Sequence, residues 1–234
     1  MRGVFRRGLL AALAVGMVVT MTSCGPAAPT GEDLYRDGEK RYTEYATVMH
    51  SVIMAVHEGE WMVESWGSDP IPCRVNGELD ERPTGYGFSW VRVLQQEQLD
   101  VDAVVSSATA AFEEAGMEAQ TVTYGSGDRA ETNVIATGGP VVRGVVTVRP
   151  HRGMIEVSAS PACFPGDAGE LSDMIFDGLV YEDAWRRFPA FEGPDWQPRF
   201  YFPEDGSPVY WDEEGKPLEP QPTPSAFPDA PYGG

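Results

Sequence analysis

The chain has 234 residues, with 17 basic and 36 acidic side chains, a net charge of −19, 20 prolines and 26 glycines. Its length suits one globular domain with flanking segments, and a hydrophobic content of 42% is enough to build a core. So acidic a surface repels nucleic acid and anionic lipid head groups, which excludes a nucleic-acid partner and membrane attachment through a basic patch.

Arg2, Arg6 and Arg7 open the chain, and the run from Gly8 to Met21 is apolar and uncharged. Met21-Thr22-Ser23-Cys24 follows. A basic start, an apolar run and small residues at a cut make a bacterial secretory signal. The run is short for a membrane-spanning helix. A cysteine directly after the small residue resembles a lipobox. That resemblance implies that residues 1–23 are a lipoprotein signal peptide and that Cys24 is acylated and becomes the new N-terminus. The protein is then expected at the cell membrane, lipid-anchored on its extracytoplasmic side. One acyl chain holds only marginally, and the diacylglyceryl group that a lipobox implies supplies the second. Arg6-Arg7-Gly8-Leu9-Leu10 also looks like a twin-arginine export signal, but Phe5 stands where Ser or Thr is usual, so ordinary Sec export is expected. Removing residues 1–23 takes away three arginines and no acid, so 14 basic and 36 acidic residues remain, a net charge of −22.

Residues 24–31 form a Pro/Ala tether, expected to be irregular. Thr30 is placed to cap a helix, with Glu32 and Asp33 in its first turn. Tyr45, Val48, Met49, Val52, Ile53 and Val56 recur at helical spacing, which predicts a helix from Glu32 to His57, stopped by Gly59. Glu60 to Trp66 reads as a strand, and Gly67 to Pro72 as a loop delivering Cys73. Asn76-Gly77 is a turn signal. Tyr86, Phe88 and Trp90 alternate with smaller residues, so Tyr86 to Leu94 reads as one strand. Its aromatic face is either core, the better reading, or a ligand platform.

Asp100 to Ala115 reads as a second helix, with Val101, Val104, Val105, Ala108, Ala111 and Phe112 on one side and Gly116 as a left-handed cap. Four strands follow at short spacing: Glu118 to Tyr124, Ala130 to Thr137, Val141 to Arg149 and Met154 to Ser160. Turns of this length imply an antiparallel meander. Leu171 to Phe188 is a weaker helical segment. Residues 195–218 hold two similar turns, which suggest a hairpin whose aromatics Phe200, Tyr201, Phe202, Tyr210 and Trp211 dock on the domain. Residues 217–234 read as a disordered, Pro-rich tail.

The fold expected is therefore α+β: a mostly antiparallel sheet packed by two helices, with one disulfide and an irregular Pro-rich C-terminal tail. The domain is expected at residues 32–165, followed by an appendage at 166–216. With Cys24 lipidated, Cys73 and Cys163 remain as one pair in an oxidising compartment, which predicts a disulfide.

Candidate chemistry is sparse. The histidines are His50, His57 and His151. His50 and His57 lie seven apart on one helical face, and a zinc site there would add Glu58 or Glu60. Metal-binding helices favour a spacing of three or four, so ordinary surface or half-buried roles are the better reading. His151 falls in a turn. No G-x-S-x-G elbow, EF-hand loop or phosphate-binding loop occurs, and 36 acidic residues make any chosen carboxylate pair uninformative. No catalytic residue, metal or cofactor is expected.

One order of features resembles a known family. Lipobox Cys24, a long helix, Cys73 in a loop, the strand Gly85-Tyr86-Gly87-Phe88-Ser89-Trp90, a helix ending in Gly116-Met117, a meander and Cys163 together resemble the LppA-like lipoproteins of mycobacteria and related actinobacteria. The resemblance covers roughly residues 24–165. It implies an envelope lipoprotein with an α+β domain, and it supplies no catalytic residues. The function expected is a non-enzymatic, membrane-anchored binding module for an envelope protein or small ligand, through the open sheet face or the aromatic tail. The alternatives are a subunit or protective partner of an envelope complex and, further off, an extracytoplasmic hydrolase using acidic residues or His50.

Overall fold

The computed structural model describes residues 27–75, 84–176, 190–198 and 200. The signal segment with Cys24, the Asn76-Gly77 turn, the helix beyond Phe176, most of the 195–218 hairpin and the Pro-rich tail lie outside the described residues.

Helix α1 spans Gly31–Val56. Its buried stripe starts about three turns earlier than the periodic pattern marks, because Leu34, Tyr35 and Tyr42 join Tyr45, Ala46, Met49, Val52 and Ile53 in the core. Thr30 stands at the N-cap position, but its side chain makes no capping bond. The first amide is satisfied from elsewhere: the Gly31 N–H donates to Glu170 Oε1 at 2.6 Å. Helix α2 is Val101–Glu114. Asp100 caps it, its Oδ1 accepting from the Ala103 N–H at 3.0 Å. Gly116, at φ +77°, closes it with a paired bond pattern, Gly116 N–H to Glu113 O and Met117 N–H to Phe112 O. Helix α3 is Ala168–Phe176, overlapping the start of the predicted third helix.

Ten strands form two sheets. They are β1 Trp61–Trp66, β2 Ile71–Cys73, β3 Gly85–Gly87, β4 Trp90–Gln95, β5 Glu118–Tyr124, β6 Glu131–Gly138, β7 Val141–Arg149, β8 Met154–Ser160, β9 Phe164–Pro165 and β10 Phe191–Glu192. The large sheet runs β10-β1-β4-β8-β7-β6-β5, the small one β2-β3-β9, and every pairing is antiparallel. The meander β5 to β8 matches the sequence reading closely. α1 and α2 cover one face of the large sheet. Gly144 on β7 permits the close approach: a Cβ there would lie 2.8 Å from the Phe112 ring and 3.7 Å from Met49 Sδ.

Three expectations are corrected. The predicted strand Tyr86 to Leu94 is two strands in different sheets, β3 and β4, with Phe88 and Ser89 as the crossing point. The Ser89 carbonyl there accepts from Ser65 Oγ at 2.7 Å. The predicted loop before Cys73 contains β2, whose Pro72 is tolerated because β2 lies at a sheet edge. The fold also does not stop at residue 165. β10 is part of the large sheet, and α3 packs on α1.

Cys73 and Cys163 are joined by a disulfide, with Cα atoms 5.8 Å apart. The bridge lies against the bare backbone of β3: a Cβ on Gly85 would sit 2.8 Å from Cys163 Sγ. Closing a loop with a sequence separation of 90 residues stabilises by roughly 4–5 kcal/mol in the chain-entropy model.

Candidate functional site

Tyr86, Phe88 and Trp90 are all buried. The Phe88 ring centroid is 5.6 Å from Tyr86, 5.7 Å from Tyr42 and 5.9 Å from both Tyr45 and Phe200. They are core, and the ligand-platform reading of this strand is not available to a molecule arriving from solvent. Phe200 is 3% exposed and packs on Tyr35 and Tyr42 as well. The docking expected of the C-terminal aromatics therefore holds at Phe200, while the others lie outside the described residues.

Beside this aromatic core is a buried charge cluster. The alternation Trp90, Arg92, Leu94 on β4 faces the helices, so Arg92 stands in a row of apolar residues and is 1% exposed. β10 pairs Glu192 with Trp61 and carries it to the same side, fully buried. Arg92 Nε donates to Glu192 Oε2 at 2.5 Å, and Glu192 Oε1 meets His50 Nδ1, from α1, at 2.6 Å. Arg92 Nη1 donates to the carbonyls of Ser65 and Val91, and its guanidinium lies 4.3 Å from the Trp90 ring centroid. Trp196 packs against His50, with ring centroids 5.1 Å apart and the planes tilted by 32°. A buried ion pair is weak evidence of net stability, but removing one partner leaves a buried charge uncompensated. The cluster thus locks three elements far apart in the chain, α1, β4 and the segment around residue 192.

Burial holds the Tyr42 and Tyr45 phenols well above the ordinary tyrosine range, with Arg92 opposing. Tyr45 donates to the Gly67 carbonyl at 2.8 Å. The Tyr86 phenol is raised by burial first and then by its 2.7 Å bond to Asp37. The Tyr45 and Tyr86 phenols serve as neutral donors.

His50, 18% exposed in its side chain, is an imidazole oriented by a carboxylate, half of the arrangement a general base uses. Among the described residues its hydrogen-bond partner is Glu192 alone, and none of their hydroxyls bonds the ring. His57 turns instead toward Trp61, with centroids 6.4 Å apart. The two histidines do not converge, and no group of three or more potential metal ligands occurs among the described residues. His151 is exposed in a single turn of 3₁₀ helix.

A cleft of about 810 Å³ lies between the outer side of α1 and the β6–β7 turn, lined by Arg36, Lys40, Arg41, Thr43, Gly139 and Pro140 among others. A second hollow of about 370 Å³ shares Arg41, Glu44, Gly139 and Pro140 and reaches Ala162 and Phe164 beside the disulfide. Three cations face this region in an otherwise acidic chain. Each is paired along the helix: Arg36 with Glu39 at 3.1 Å, Lys40 with Glu44 at 3.9 Å and Arg41 with Asp37 at 3.3 Å. The Arg41 guanidinium also sits 4.6 Å from the Phe164 ring centroid. The result is a wall of alternating charge with one aromatic at its end, suited to a zwitterionic or mixed polar ligand.

The face of the large sheet turned away from the helices carries Met62, Val93, Val145, Ile135 and Val122, with Arg149 bonded to Glu131 at 3.2 Å and Glu156 at 2.9 Å. Its two ends expose Phe191 and Tyr124.

Sequence reasoning missed Arg92 and Glu192. Arg92 had a signal, since it occupies an inward position in an alternating strand. Glu192 had none, because its two-residue strand is below any periodicity. No protein-family model, curated protein or solved structure matches the chain.

Proposed function

We propose that this protein is a non-enzymatic binding module of the bacterial envelope, anchored at the extracytoplasmic side of the cell membrane by lipid on Cys24, with its ligand held in the cleft beside α1. The observation that carries the reading is the Cys73–Cys163 disulfide, since such bridges form and persist in oxidising compartments. The lipobox-like Met21-Thr22-Ser23-Cys24 supports the anchor. Six residues lie between Cys24 and Gly31, a reach of at most about 25 Å, so the cleft along the Arg36 to Val48 stretch of α1 would face or flank the bilayer. Kinship with the LppA-like lipoproteins belongs to the same proposal. Two experiments test it. Feeding cells an alkyne-tagged palmitate should label the wild type in the membrane fraction and leave Cys24→Ser unlabelled and released; equal labelling of both would contradict the anchor. Native mass spectrometry of protein taken from its own membranes should show one bound small molecule, lost in Thr43→Trp, which fills the cleft. Protein free of any adduct in every preparation would remove the binding reading.

A second reading, a subunit of an envelope assembly, is favoured by one observation: the strand β5 at the far edge of the large sheet is exposed along most of its length.

A further inference from the structure

The two sheets present four edge strands among the described residues, and three are blunted. β10 is two residues long, β2 carries Pro72 and β9 carries Pro165. Short length and proline are the devices that keep sheet edges from pairing with other chains. β5 has neither. It is seven residues long, pairs among the described residues with β6 on one side only, and shows no bulge in that pairing. Its sequence, Glu118-Ala119-Gln120-Thr121-Val122-Thr123-Tyr124, has one charge, at its first position, and three consecutive β-branched residues. Glu118, Gln120, Thr121, Thr123 and Tyr124 are exposed.

We infer that β5 pairs antiparallel with β5 of a second copy of this chain, about a two-fold axis through Thr121, so that two seven-stranded sheets join into one. The strand is complementary to itself in that register. Thr121 meets Thr121 of the second copy, Gln120 meets Val122, Ala119 meets Thr123, and Glu118 meets Tyr124. Like charges do not face each other, and each carboxylate gains a phenol. Facing residues are always an even number of positions apart, so the outward N–H and C=O groups of one strand meet outward groups of the other throughout. A hydroxyl pair at the centre repeats the cross-strand threonine contact already present between Thr123 and Thr132, whose Oγ1 atoms are 3.4 Å apart.

The axis stands perpendicular to the joined sheet. Both α1 helices therefore lie on the same side, and both chain starts can reach one membrane. The pairing does not depend on the lipid anchor, but anchoring two copies in one membrane raises their effective concentration. That matters because an edge pairing buries less area than a standard interface, and the acidic chains repel each other. Screening that repulsion makes the pairing tighter as salt is added.

The test uses the full chain in a Cys24→Ser background, so that it stands whether or not Cys24 is lipidated. Thr121→Cys places two thiols across the axis at a Cα separation of about 5 Å, within disulfide range. Thr123→Cys places its two thiols roughly 14 Å apart, four residues out of register. Under mild oxidant, Thr121→Cys should form a covalent dimer more than tenfold faster than Thr123→Cys. Sedimentation of the uncrosslinked full chain should show dimer growing with salt, and Thr121→Lys should be monomeric at every concentration. Equal crosslinking at the two positions would overturn the inference. So would a monomer that ignores salt, or a Thr121→Cys chain that crosslinks in cell extracts only to a different protein.

Discussion

The two edges of the large sheet are finished in opposite ways. At one, the chain returns after a long excursion and lays down β10, a strand of two residues. That strand contributes little backbone pairing, yet it delivers Glu192 to Arg92 and His50 and is followed by Trp196, packed against the core, and by Phe200 within it. At the other edge, β5 has seven residues of regular pairing and exposed side chains. The contrast shows that edge closure is independent of strand length. The short strand is fixed by a buried charge and two aromatics, and the long one, among the described residues, has no partner on its outer side.

Breaking the closed edge should have the largest effect. Glu192→Ala leaves Arg92 buried and uncompensated, and is expected to cost about 3–5 kcal/mol in urea unfolding. Limited proteolysis should then cut near residues 190–198. The double variant Arg92→Met/Glu192→Leu removes both charges and should recover most of that loss, because the penalty lies in the orphaned charge rather than in the pair. Phe200→Ala tests the same edge through packing alone. It should cost about 3 kcal/mol, since the ring fills a space among Tyr35, Tyr42 and Phe88.

Smaller effects separate the edges further. Asp69 follows β1 in the loop before β2, and burial raises its carboxyl above the usual aspartate range. The folded state therefore favours the neutral form. The stability tied to that form is complete below the unfolded aspartate pKa and is lost as pH rises through the folded value. Asp69→Asn should accordingly raise Tm at neutral pH, by about 1 °C, with the gain vanishing below the ordinary carboxylate range. At the open edge, Thr123→Lys should leave monomer stability within about 0.5 kcal/mol, while lowering the salt-dependent association of the full chain.

The sequence made α2 and the meander readable because each carries its own punctuation. Asp100 and Gly116 bracket the helix, and Gly or Pro stands in each turn from Tyr124 to Met154. The chain's switch between sheets at Phe88 and Ser89 was not readable. Tyr86, Phe88 and Trp90 keep strict alternation across it, and alternation reports which residues are buried rather than which sheet buries them. The same limit hid the charge cluster. Arg92 interrupts an apolar row, but its partners His50 and Glu192 lie 42 and 100 residues away along the chain, and local patterning carries no information over that distance. The disulfide is readable from the cysteine count, because setting Cys24 aside as the expected lipid site leaves one pair to form.

The measurement that tests the contrast most directly is hydrogen exchange on the full chain, followed as protein concentration and salt are raised. The account predicts that amides of Trp61–Ser65 are slow under all conditions. It predicts that the outward amides of Glu118–Tyr124 are fast in dilute protein and become slow as copies associate. Outward amides in β5 that exchange fast at every concentration, or a Trp61–Ser65 segment as fast as β5, would contradict it.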